Sequence, residues 1–446
     1  MNRAANTEVI SEKRVKSTRE NAQQQLIRGT LIGSLSKDML VGDFFVAFAI
    51  QVLLFSNEQV SWFLALLPLA VLLRYPFLDK IRKVPRVRIT LMARSIQLFC
   101  VGMLIALPTN AISIPVLFGV ALLFVFGNEF LQNAVWTSLL TEFTLERTRG
   151  KFIGQLRTWK TASALAFALF AFFFVGEELD RFEHRILLCI VFALLAYSFL
   201  CFTKVPQIRP PKSVLNHSGR GKLLETIKTS ELLRLPLAMT FVQSVMSWPI
   251  LIVFLVGNLN LPANLLALYL AVAMAGPIAT SYLWGLIADR FGIRPIYFIN
   301  FAGTALIFPL LLFVPDFKLV DAGSLQWYLG IAALFTFQFA ISSLFAAQMM
   351  ANSILHSRYV SKDSGFHAFN LLTAGMQLFK AGLVALGAIL LSTLNDTTAI
   401  AAKAPSTKLL WIDPFRLSTI GIIVVCSLVG IMLSTKIRRR NQGMSQ

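Results

Sequence analysis

Charge is scarce in this sequence. Asp, Glu, Lys and Arg make up 14% of its 446 residues, where a soluble domain carries about 25%. Acidic residues are the scarcer kind, 22 against 41 Lys and Arg. Four cysteines and four histidines leave little material for metal or redox chemistry. Cys100, Cys189, Cys201 and Cys426 fall in apolar stretches with no C-x-x-C pair, which points to buried reduced thiols. His184, His217 and His356 read as loop residues, and His367 has no metal partner at useful spacing. A P-loop, a Ser/His/Asp grouping and a zincin pattern are all missing, so the sequence reads as a non-enzyme with no metal and no cofactor. An apolar core followed by a small-residue cleavage site is also missing from residues 1–37, so the first apolar block is the expected insertion signal.

What fills the chain is apolar, at 56% of residues. The apolar residues gather in twelve blocks, near 38–55, 60–78, 89–108, 112–140, 152–176, 185–203, 236–256, 263–288, 295–314, 325–350, 366–394 and 414–435. A bilayer-crossing helix needs about 20 such residues. The expected fold is therefore all-α, a polytopic membrane protein with 12 transmembrane helices in two six-helix bundles. Numbered in chain order, these blocks are segments one to twelve. The expected boundaries are a tail over 1–37, a first bundle over 38–203, a linker over 204–235, a second bundle over 236–435 and a tail over 436–446. The linker carries Pro206, Pro210, Pro211, Gly219 and Gly221, which punctuate helices.

A net charge of +19 raises the question of a nucleic-acid partner. Its distribution answers against one. With both termini inside, 30 of the 41 basic residues fall on inner loops and tails and six on outer loops, among them Arg416. Lys and Arg resist translocation, so this bias sets the orientation and draws the inner face toward anionic lipid. The acidic outer stretch Glu177, Glu178, Asp180 and Glu183 reads as a solvated turn.

The halves repeat. Pro68 and Pro277, Asp79 and Asp289, Pro85 and Pro295, and Arg149 and Arg358 are each 209 or 210 residues apart. Such a duplication pairs two six-helix repeats about an axis along the membrane normal. Between segments eight and nine lies Gly285-Leu-Ile-Ala-Asp289-Arg290-Phe-Gly292-Ile-Arg294-Pro295. Glycine permits close approach and a tight turn, and Asp can pair with an Arg or a helix end. The cluster reads as an inner-face latch, or as a helix-ending turn with topology charges. With Asp79 and Arg149 it forms the expected gating set.

This loop resembles the signature of the major facilitator superfamily, G-x-x-x-D-R/K-x-G-x-R/K-R/K, matching at Gly285, Asp289, Arg290, Gly292 and Arg294. Pro295 replaces the last basic residue. The first-half copy, Tyr75 through Arg86, keeps Asp79 and Lys80 but neither glycine. A second resemblance is to the melibiose-permease-like branch. Gly33-Ser-Leu-Ser-Lys37-Asp38, Trp136-Thr-Ser138-Leu139, Glu146-Arg147-Thr-Arg149 and Phe379-Lys380-Ala-Gly382 are similar to its motifs. That resemblance implies sugar contacts at Asp38 and Trp136 and a coupling role for Lys380. The branch's paired cation aspartates align on Val71 and Tyr75, and its sugar aspartate on Gln132, so cation coupling and sugar specificity do not simply carry over.

A charge at mid-bilayer costs about 2.5–3.5 kcal/mol on insertion scales, so it should face a partner or a cavity. Glu129 and Lys380 fall near the middle of their segments. Asp43, Arg74, Arg94, Arg157 and Lys160 fall nearer the inner boundary, where the basic ones read as snorkelling anchors. Glu129, Gln132, Asn133 and Trp136 share one helix face, as do Asn370, Thr373, Gln377 and Lys380. Each stripe reads as a wet pathway or as an interhelical hydrogen-bond seam. In the pathway reading Glu129 takes a proton or a polar substrate group, with Lys380 as its counter-charge. Shorter stripes pair Asp43 with Gln51, Gln243 with Ser247 and Gln338 with Ser342; the superfamily resemblance implies that segments one, four, seven and ten line the central cavity, which makes these candidate substrate contacts. Gly276-Pro277 and Trp248-Pro249 are hinges or packing kinks. The function expected is a monomeric secondary transporter in a bacterial inner membrane. It would carry a small organic solute by alternating access, with a proton or cation as coupling partner and a leaning toward sugars from the resemblance alone. A non-transporting scaffold or sensor on the same fold is the alternative.

Overall fold

A computed structural model describes residues 19–30, 35–66, 83–108, 112–144, 149–207, 250–359, 375–390 and 413–437, with isolated positions between them. Every regular element among the described residues is helical, and none is a strand. Apolar runs in lipid have no water to satisfy their amides, so the backbone must bond to itself within each segment. Six helices are long and apolar enough to cross a membrane: Arg86–Ala106, Arg181–Thr203, Ala263–Phe291, Ile293–Phe313, Leu325–Asn352 and Pro414–Thr435. Ile114–Asn128 and Gly375–Leu390 are shorter apolar helices. Proline marks several starts, at Pro85, Pro115, Pro262 and Pro414, where its missing N–H costs nothing. Gly292 separates Ala263–Phe291 from Ile293–Ile307 at φ 81°, a conformation that favours glycine.

By packing, the chain forms two compact units. One comprises Met1–Gly42, Leu73–Ala164 and His184–His217, the other Asp43–Leu72, Leu165–Glu183 and Ser218–Gln446. This division cuts across segments one, two and five, so part of each groups with the second half of the sequence.

In the first unit, residues 19–30, within the stretch read as a tail, form a helix packed into the core. Ala22 and Leu26 are buried among Val87, Leu139, Phe143, Phe152 and Phe202. Gln23 Nε2 donates to the Phe143 carbonyl at 2.8 Å, capping the end of Asn133–Phe143. Ser198 Oγ donates to the Gly29 carbonyl across 169 residues.

In the second unit, helices cross at small residues, as lipid-embedded bundles require. A Cβ on Gly430 would strike the Phe301 ring, and one on Gly276 would strike Ser342 and the Phe339 carbonyl. The helix runs on through Pro277 without a break.

The duplication is visible in the backbone. Segment one ends in a π-helical turn, Phe48–Val52, and segment seven in another, Phe254–Asn258. Leu53 N–H donates to Phe48 O and Leu259 N–H to Phe254 O, at 3.1 and 3.0 Å. Phe55 N–H donates to Ala49 O and Leu261 N–H to Leu255 O, both at 2.9 Å. Leu54 and Asn260 then take left-handed backbone, at φ 56° and 52°. Every pair is 206 residues apart, so the two turns are copies of one another.

Candidate functional site

Segment one bends at Gly42 and restarts as Asp43–Ala47. The break leaves Asp43 at the head of a short helical piece, half-buried in the second unit. Lys380, half-buried on Gly375–Leu390, lies near enough for its ammonium to act on the Asp43 carboxyl. The Asp43 carboxyl in turn acts on the buried phenol of Tyr269, from Ala263–Phe291. Segments one, eight and eleven thus bring an acid, a base and a phenol together. Protonating an acid beside an amine frees the amine for another anion. Such a site can couple a proton to a conformational change or to a charged solute group.

The acid described beside Lys380 is therefore Asp43. The side chains of Glu129, Gln132, Asn133, Asp38 and Arg149, and the whole of Asp79, Gln243 and Asn370, lie outside the described residues. The Glu129 backbone belongs to a third π-helical stretch, Phe126–Gln132. Trp136 packs against the inner core with Leu26 and Leu139. Gln377 is half-buried on the Lys380 helix. Gln338 is buried, and Ser342 donates to its own helix at Phe339 O, 3.0 Å, beside Gly276. Gln51 accepts from the Leu179 N–H at 3.2 Å, away from Asp43. Asp289 and Arg290 are exposed at the end of their helix, with Arg290 over the Phe291 ring, while Gly285 and Arg294 are half-buried.

Arg94 overturns its reading as a snorkelling anchor. It is 1% exposed, inside the bundle. Its Nη1 donates to Gln97 Oε1 at 2.6 Å, Gln97 Nε2 donates to Asn128 Oδ1 at 3.2 Å, and its guanidinium faces the Phe202 ring. Among the described residues its Nε has no hydrogen-bond partner and no carboxylate pairs with it. The reason for its burial is local: Gly127 lets the π stretch of segment four sit against Ala93 and Ile96. That side of the Arg94 helix is thereby covered by protein rather than lipid. Arg157 and Lys160 are exposed, as anchors should be.

Arg416, counted from the sequence as an outer-loop charge, is also buried, at 2% exposed. Its Nη1 donates to the Leu311 and Val314 carbonyls at 3.0 and 2.6 Å, and its Nε lies 2.7 Å from Asp413 Oδ2. No motif announced either buried arginine. The one signal available was their place in or beside apolar blocks. Among the described residues, no group of three or more His, Cys, Asp or Glu is placed to hold a metal.

No protein-family model and no curated protein matches the sequence. Solved structures do. A mutant form of the nucleoside transporter NupG is similar at a TM-score of 0.68 and 13% identity, covering 92% of this chain and 99% of that one. A D-xylose-proton symporter is similar at 0.67 and 11%, covering 93% and 97%. A bacterial homologue of the lysosomal transporter Spinster is similar at 0.61 and 14%, covering 94% and 97%. At such identities the likeness is one of fold, and that fold is the one shared by major facilitator transporters.

Proposed function

We propose that the protein is a secondary transporter in which Asp43 and Lys380 form the coupling pair. The observation that carries this reading is the meeting of those two opposite charges, drawn from segments one and eleven, inside a membrane fold. In the reading, twelve segments form two bundles, 38–203 and 236–435, joined by 204–235, with both termini inside and one copy as the working unit. The bundles rock about the Asp43 site. The cargo is a small polar organic solute, of the size of the nucleosides and pentoses that the similar structures are named for. Coupling runs through protonation of Asp43, and Lys380 takes either that carboxylate or an anionic group of the solute. Glu129, Gln132, Asn133, Gln377 and Asn370 extend the wet path, while Asp79, Arg149 and the Gly285–Arg294 loop gate its inner end. The protein is not an enzyme, binds no nucleic acid, and works in a bacterial inner membrane.

The test is uptake into proteoliposomes, with and without an inward proton gradient, across a panel of nucleosides, pentoses, hexoses and organic anions. Uptake that accumulates with the gradient and fails in Asp43→Asn and Lys380→Gln supports the reading. The first-half loop lacks both glycines of the second, which favours one rival, a sensor built on this fold. A sensor binds a panel member, seen as a thermal shift in detergent, and moves none of them.

A further inference from the structure

We propose that Asn57, Gly257 and Asn258 are the outer gate of the transport cycle, strapped by the backbone of residues 176–179. The proposal rests on the transporter reading above. Gly257 stands at the repeat position of Gln51, 206 residues on, within the two copied turns. Where the first copy has a side chain, the second has none, and the Asn57 amide uses that space. A Cβ on Gly257 would fall well inside contact distance of Asn57 Oδ1, Cγ and Nδ2. Asn57 Nδ2 donates to Asn258 Oδ1 at 3.0 Å, a bond across 201 residues.

The opposite pairing of the repeat is Gln51 with the start of segment eight, and there a turn is threaded between. Gln51 Oε1 accepts from Leu179 N–H at 3.2 Å. Glu177 O and Gly176 O accept from Ala263 N–H and Asn264 N–H, at 2.7 and 3.2 Å. These are opening amides of the Ala263–Phe291 helix, which have no partner within it. Each copied turn therefore reaches the helix start of the other copy, directly at Gly257 and Asn57, by way of the strap at Gln51 and Ala263. The side chains of Glu177, Glu178 and Asp180 stay exposed, as a solvated turn requires, while their backbone does the holding.

Every one of these bonds joins uncharged groups. Water can replace each at little cost, so the set can break and re-form. If two halves rock about Asp43, bonds between outer positions of the first half and of the second are the ones that must part. In this reading the bonds described belong to the outward-closed state.

The experiment needs no solute. With the four native cysteines changed to Ser, Tyr269→Cys serves as a reporter, placed about two turns inward from Ala263. A membrane-impermeant, charged thiosulfonate is added outside right-side-out vesicles. Slow labelling is expected with the gate intact, and labelling at least fivefold faster with Gly257→Ala or Asn57→Ala. Gly257→Ala should act by swinging the Asn57 amide aside, since the atoms it meets are the end of a flexible side chain. A second variant, Asn57→Cys with Gly257→Cys and without the reporter, tests the geometry itself. Its two β-carbons fall in disulfide range, so copper phenanthroline should join the halves of a chain cut at a protease site within residues 212–221. In vesicles that transport, that bridge should stop uptake until reductant is added. Equal labelling in all reporter variants, or failure of the bridge to form, overturns the gate. A gate that responds in a protein that moves nothing on the panel instead overturns the transporter reading.

Discussion

Two buried arginines, in different units of the fold, should respond very unequally to the same substitution. Arg94→Met removes a cation whose described partners are one amide oxygen and the face of Phe202. The loss is one charge-assisted hydrogen bond, about 1.5–3 kcal/mol, and a desolvated cation–π contact of about 2 kcal/mol at most. The gain is relief from burying an ion, several kcal/mol in effective terms. These nearly cancel, so the apparent melting temperature should move little, with a net change within about 2 kcal/mol. Arg416→Met removes the partner of Asp413 and of two carbonyls, at Leu311 and Val314. That leaves a half-buried carboxylate with its backbone cap at residue 416 but no counter-charge, and should cost about 3–5 kcal/mol. Both proteins are measured by thermal unfolding in the same detergent and salt, with tryptophan fluorescence as the probe. If Arg94→Met falls as far as Arg416→Met, the reasoning is refuted and a carboxylate balances Arg94. If it holds its stability but loses uptake, the arginine is kept for transport rather than for folding.

Other outcomes follow from single positions. Leu54 sits at φ 56° and is exposed, while its repeat counterpart is Asn260, a residue suited to that backbone. Leu54→Asn should therefore stabilise by about 1 kcal/mol, read as a raised melting temperature. Gly430→Ala drives a methyl into the Phe301 ring and should destabilise by about 1–3 kcal/mol in the same assay. Asp43→Asn and Lys380→Gln should each lower stability, and the double variant should recover part of the loss. A coupling of about 0.5 kcal/mol or more in the double-mutant cycle is expected, and none would separate the two groups.

Much of the fold was legible. Long uncharged runs give membrane helices because no other backbone state satisfies itself in lipid, and six such helices stand in the structure. The duplication was legible from Pro68 and Pro277 or Asp79 and Asp289, and reappears in the turns at Phe48–Val52 and Phe254–Asn258. Gly292 earned its place in the loop motif through its positive φ. The site was half legible. Asp43 and Lys380 were each a candidate from their own segments, but nothing in the spacing linked them, and the structure places Lys380 near enough to act on Asp43. Pairing between distant segments has no period to read. The same holds for Asn57 and Gly257, whose fit depends on the absence of a side chain 200 residues away. Arg94 misled because distance from the bilayer edge says nothing about which neighbour covers a helix face.

The helix over residues 19–30 bears on the order of assembly. It is made well before its seat, since Gln23 bonds a carbonyl 120 residues later, and Ala22 and Leu26 share a cluster that extends to Val205. Its seat does not exist until the sixth apolar segment has been made. The helix must wait, unpacked, until the residues around Phe202 and Val205 follow it, and then closes their cluster like a keystone.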